Sequence, residues 1–174
     1  MNTILLYLVL GGCIVYSSMS DLDNRPKDKV ISPKGKVANT KDVRFVLNWG
    51  NLGADRIEEV VHSYKSGGFQ DYLNGHAIRV SHLDVSDLAN SGRDWHRGDE
   101  LSGVAKDAVD FVALCLTSQE MPWFPTIDEM RSPTMYVYVW KIVFVGVDKI
   151  RPNAADVIFA NPDTKMVYYF SGKI

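Results

Sequence analysis

The chain has 174 residues and a formal net charge of −2, from 19 basic and 21 acidic side chains. It therefore lacks the basic surplus that nucleic-acid binding demands. With the first forty or so residues set aside, about 130 remain, the commonest size for one domain and enough for a core that needs no disulfide or metal.

From Ile4 to Tyr16 nearly every side chain is apolar or aromatic, and the first twenty residues carry only the charge of the α-amine. At about 1.5 Å per residue, roughly twenty helical residues span a hydrocarbon core of about 30 Å. A cleavable secretory signal opens with Lys or Arg, whereas Met1-Asn2-Thr3 has neither. Leu10-Gly11-Gly12-Cys13 resembles the lipobox of bacterial lipoproteins. That resemblance implies lipidation of Cys13, which would then begin the mature chain. Arg25, Lys27, Lys29, Lys34, Lys36 and Lys41 all follow the apolar stretch, and nothing basic precedes it. This asymmetry favours residues 1–20 as an uncleaved single-pass anchor with the following domain in the cytoplasm. A lipoprotein and a secreted form are the alternatives. Residues 21–41 hold Pro26, Pro33, Gly35 and many charges. Such a segment buries too little to offset its ordering entropy, so it is expected to be a flexible charged linker.

A globular domain is expected over residues 42–174. Val43, Phe45, Leu47 and Trp49 alternate with Arg44, Val46 and Asn48, so Asp42–Trp49 reads as a strand. Ile57, Val60, Val61 and Tyr64 recur at three- and four-residue steps, so Ala54–Ser66 reads as a helix stopped by Gly67-Gly68. Phe69–Asn74 reads as a helical turn. His76–Leu83 reads as a second strand, with Ile78 and Val80 on one face. Asp84–Gly98 is rich in Asp, Ser, Asn and Gly and reads as loop.

Asp99–Gln119 has the clearest helical stripe, with Leu101, Val104, Ala105, Ala108, Val112 and Cys115 turned inward and Phe111, Leu114 and Leu116 widening it. The second cysteine is thus a small buried hydrophobe, and with Cys13 in the apolar stretch no disulfide framework is implied. Met121–Pro133 contains three prolines and reads as an ordered loop. Thr134–Val147 is dense in β-branched and aromatic residues on both faces, which places it at the sheet centre. The last strands form a hairpin around Asn161-Pro162-Asp163-Thr164. The expected class is α+β, with two helices packed on a mainly antiparallel sheet that ends in a three-stranded meander.

His76 and His82 would stand about 20 Å apart at the two ends of a strand, too far for one metal. His62 follows Glu58 and Glu59 on the predicted helix, but no partner pair completes a site. No metal and no cofactor are therefore expected. Arg93–Glu100, RDWHRGDE, is the densest charged cluster. There His96 is a candidate general base oriented by Asp94 or Asp99. Trp95, Arg97 and Arg93 are equally candidates for protein contact, since Trp and Arg dominate interface hot spots. Trp123 and Phe124 between prolines form a second candidate ridge. No nucleophile elbow or phosphate loop is present. The expected function is a membrane-tethered, non-catalytic protein-binding module of inhibitor or immunity type, with its contact surface on the loops Arg93–Glu100 and Met121–Pro133. The alternatives are a small hydrolase built on His96 and a structural component of an envelope complex.

Overall fold

A strand whose successive side chains are apolar on both faces belongs in the middle of a sheet. Two neighbouring segments meet that condition: β5 (Arg151–Asn161) and β6 (Met166–Lys173). The computed structural model describes residues 38–67, 71–116, 121–146 and 151–174, all within the unit Ile31–Ile174. The apolar segment 1–20, Cys13 and the linker as far as residue 37 lie outside the described residues.

The two central strands join through the turn expected from sequence. The Asn161 Oδ1 accepts the Thr164 N–H at 3.2 Å, and Lys165 takes a left-handed φ of 53°. β1 (Ile57–Gly67) and β2 (Tyr72–Val80) form a second hairpin, which docks on β6. β4 (Tyr136–Val145) pairs with β5, and the two-residue β3 (His96–Arg97) pairs with the start of β4. The sheet is six-stranded and antiparallel throughout, in the order β1-β2-β6-β5-β4-β3.

The hairpin alternates between two cores. Val157, Phe159 and Phe170 pack with α3 (Gly103–Cys115), α4 (Ile127–Met130) and Phe124. Ile158, Ala160, Val167 and Tyr169 pack with α1 (Arg44–Gly50), α2 (Val85–Asn90) and Leu83. The class is α+β, and the closing meander β4-β5-β6 is present. The expected pair of helices is corrected: four α-helices stand among the described residues, and they cover both faces of the sheet.

Several element assignments change with it. Asp42–Trp49 is not a strand, because Val43, Val46, Leu47 and Gly50 follow helical spacing and are the residues buried. Ala54–Ser66 is not a helix. The pairing of β1 with β2 skips Glu58 and Val61. Each bulge inserts one residue and turns a two-residue period into three- and four-residue steps. Residues 72–74 belong to β2 rather than to a helical turn. Asp84–Gly98 contains α2 and β3, and Met121–Pro133 contains α4. α4 starts with a reciprocal cap between Thr126 and Glu129, a T-x-x-E signature. The long helix begins at Gly103, with Ser102 as its N-cap, rather than at Asp99. Thr134–Val147 is not central, since β4 lies beside the edge and its second half is largely exposed.

Along α3 the buried side chains are Ala105, Ala108, Val109, Phe111 and Val112, whereas Val104 is exposed. Phe111→Ala should therefore lower the unfolding free energy by about 3–5 kcal/mol. Val104→Ala should change it by less than about 0.5 kcal/mol. Urea unfolding of the two variants checks this inward face.

Candidate functional site

β3 anchors the Arg93–Glu100 segment by pairing His96 with Val137 and Arg97 with Tyr136. The Gly98 N–H donates to the Met135 carbonyl at 2.7 Å. Gly98 also lies so close to the Met130 and Ser132 carbonyls that a Cβ there would collide with backbone. His96 Nε2 stands 3.3 Å from Asp94 Oδ2, but that carboxylate is 89% exposed. Asp99 is engaged elsewhere. Arg97 grips it through Nε at 2.5 Å and Nη2 at 3.0 Å, and also reaches Glu100 at 2.7 Å. These contacts, the hydrogen bond with Asp99 first, hold the Arg97 pKa above and the Asp99 pKa below the usual values. Of the two carboxylates considered for His96, then, Asp94 is the one that stands beside it.

Trp95 is half-buried against the second core. Its ring lies beside Gly50 of α1, where a Cβ would sit 3.0 Å from it, and 5.5 Å from the Tyr138 ring. It wedges the segment onto α1 and β4, while Arg93 remains exposed. Trp123 and Phe124 belong to the opposite face. Phe124 is buried among Phe159, Tyr168 and Phe170, with ring centroids 5.7–6.2 Å away. Trp123 stacks on His62 at 5.2 Å, and burial there lowers the His62 pKa against the opposing charge of Glu59. The two loops meet near Gly98, but Trp95 and the Trp123–Phe124 pair are on different sides of the sheet.

The second face also carries a polar row that the sequence reading left unassembled. It crosses the sheet from β1 to β5. The Ala38 N–H donates to Ser63 Oγ at 3.1 Å, and Ser63 Oγ lies 3.0 Å from His76 Nδ1. The His76 ring stacks on Tyr169 at 5.9 Å, and the Tyr169 hydroxyl donates to Asp156 Oδ1 at 3.0 Å. Burial lowers the His76 pKa, with Asp42 opposing, and burial raises that of the Tyr169 phenol. The signal was present in β2, where His76 shares a face with the buried Ile78 and Val80.

Phe45 and Trp49 of α1 roof this row, 5.2 and 6.0 Å from Tyr169. Trp49 in turn lies flat on Trp140, with centroids 4.8 Å apart and planes 3° from parallel. Trp140 is the residue that the β4–β5 register skips, between Val139↔Val157 and Lys141↔Asp156. Trp140 continues the alternation that puts Tyr136 and Tyr138 on the α1 side, and it is 41% exposed. Elsewhere, His82, Asp84 and Asp87 bring one ligand atom each within 4.8 Å of one another. The Asp87 oxygen is already shared with Arg56 at 2.9 Å and the Asp84 N–H at 2.8 Å, so the trio reads as an ion-paired helix start. No helix of the described residues is long and apolar enough to cross a membrane. The chain matches no family model, no curated protein and no solved structure.

The placement of Phe124 yields a direct check. Phe124→Ala should lower the unfolding free energy by about 3–5 kcal/mol, as a core phenylalanine does. A contact residue on the surface would leave urea unfolding within about 0.5 kcal/mol of the parent.

Proposed function

We propose that the chain is a non-catalytic protein-binding module of inhibitor or immunity type, held at a membrane through residues 1–20 with its domain in the cytoplasm. Its contact surface is the outer half of β4 together with Trp49 and Trp140. The observation that carries this reading is the flat Trp49–Trp140 stack beside an edge with no strand partner beyond Val137 among the described residues. Trp140, Val143 and Val145 present 41%, 36% and 47% of their surface there. Tryptophans are the commonest energetic anchors of protein interfaces, and an unpaired strand edge accepts an extended partner segment through backbone hydrogen bonds. The partner expected is an extended apolar segment with an acidic residue to meet Lys141.

The hydrolase alternative rests on the His96–Asp94 contact. Removing the imidazole in His96→Ala should leave partner capture intact.

A photoreactive amino acid placed at position 140 of the full chain, in native membranes, separates these readings. One discrete adduct is expected from position 140 and none from the exposed position 104 on α3. That adduct should disappear when residues 1–20 are deleted and the chain leaves the membrane. Identical adduct patterns from both positions, or none from 140, would remove this surface from the account.

A further inference from the structure

α1 shelters the second face of the sheet as far as Tyr169, and the sheet continues past it. The next row of cross-strand neighbours is polar in every strand: Lys65 of β1, Asn74 of β2, Ser171 of β6, Asp156 of β5 and Lys141 of β4. The row lies on the α1 side, because Asn74 is two residues from His76 and Ser171 two from Tyr169 along strands that pair without a bulge. Ser171 is 5% exposed there. Two members are incompletely satisfied. Asn74 Oδ1 is buried with no hydrogen-bond partner, and a buried acceptor without a donor is destabilising. Asp156 accepts the Tyr169 hydroxyl at 3.0 Å and, among the described residues, forms no ion pair. Lys141 stands opposite it in register but is turned to solvent.

The chain enters this same face one row away. The Ala38 N–H donates to Ser63 Oγ at 3.1 Å, and Ser63 pairs across the strands with His76. Immediately before Ala38 the sequence reads Pro33-Lys34-Gly35-Lys36-Val37, with two lysines and no acid. We infer that residues 33–37 cross the uncovered part of the sheet as a strap, in which the backbone N–H of Lys36 or Val37 donates to Asn74 Oδ1 and the Lys34 ammonium pairs with Asp156.

The reach fits both contacts. Asp156 lies three strands and one row from Ser63, about 16 Å at the usual strand spacing and rise. Four extended residues from Ala38 back to Lys34 cover about 13 Å, and the lysine side chain covers the rest. Asn74 is one strand and one row from Ser63, about 8 Å, which is where the second residue back from Ala38 arrives. The charges agree as well, since Asp156 is the acid of the row and Lys34 is the cation that arrives at its distance. The strap requires no assumption about the partner. With residues 1–20 in the membrane, as proposed above, only residues 21–32 then separate the domain from the bilayer, an extended reach of about 40 Å.

Hydrogen exchange of the full chain in detergent micelles at about pH 7.5 tests the strap. The amides of Lys34–Val37 should exchange more than about tenfold slower than their intrinsic rates, whereas those of Lys27–Lys29 should not. Lys34→Gln should lower that protection by about threefold, the size expected of a solvent-accessible ion pair. Asp156→Asn should lower it equally, with no further loss when the two are combined. Lys29→Gln should leave it unchanged. The amides of Val157–Ala160 report whether Asp156→Asn keeps its fold, and Lys34→Gln decides alone if it does not. Exchange of Lys34–Val37 at intrinsic rates, protection untouched by Lys34→Gln, additive losses in the double variant, or an equal loss in Lys29→Gln would overturn the strap.

Discussion

Burial of the β5–β6 hairpin on both faces is the constraint from which the other positions follow. Val157, Phe159 and Phe170 can be dry only if α3, α4 and Phe124 lie over them, and Ile158, Val167 and Tyr169 only if α1 lies over them. A hairpin with two apolar faces demands two covering layers. Each sequence-indicated site residue is then assigned a side. Trp95 goes with α1, Trp123 and Phe124 go with α3, and the sheet stands between them.

The polar row on the α1 face follows from the same layering. α1 is seven residues long, so its cover is short. Phe45 and Trp49 shelter Tyr169, and beyond it the sheet presents His76, Ser63 and Asp156 instead of further apolar side chains. Buried polar groups are tolerated where each finds a partner, and this row supplies them in sequence from Ala38 to Asp156. The charged segment Arg93–Glu100 shows the contrary case. Its strongest contacts lie within itself, from Arg97 to Asp99 and Glu100, at the surface where such pairs contribute little to stability.

Legibility from sequence tracked how regular each element is. The hairpin was readable because Asn161–Thr164 is turn chemistry between two alternating runs, and α3 because thirteen residues sustain one helical face. α1 and β1 were exchanged for opposite reasons. In α1, Val43, Val46 and Leu47 follow helical spacing while Val43, Phe45 and Leu47 also alternate, and seven residues are too few to separate the two periods. In β1, the bulges at Glu58 and Val61 break the alternation into steps that imitate a helix. The candidate surface was illegible because the run Tyr136–Val145 does not show that its neighbour on one side is the two-residue β3, nor that α1 brings Trp49 onto Trp140. α2 and α4 are single turns or little more, defined by caps rather than by an apolar period.

Residue-resolved native-state hydrogen exchange tests the central constraint most directly. The amides of Val157–Ala160 and Val167–Phe170 should be the slowest in the domain, exchanging only through global unfolding. Those on the outer half of β4, beyond the bulge at Trp140, should exchange through local opening. Equal protection along all of β4, or β5 and β6 amides that exchange before those of β1, would contradict a structure organised around its central hairpin.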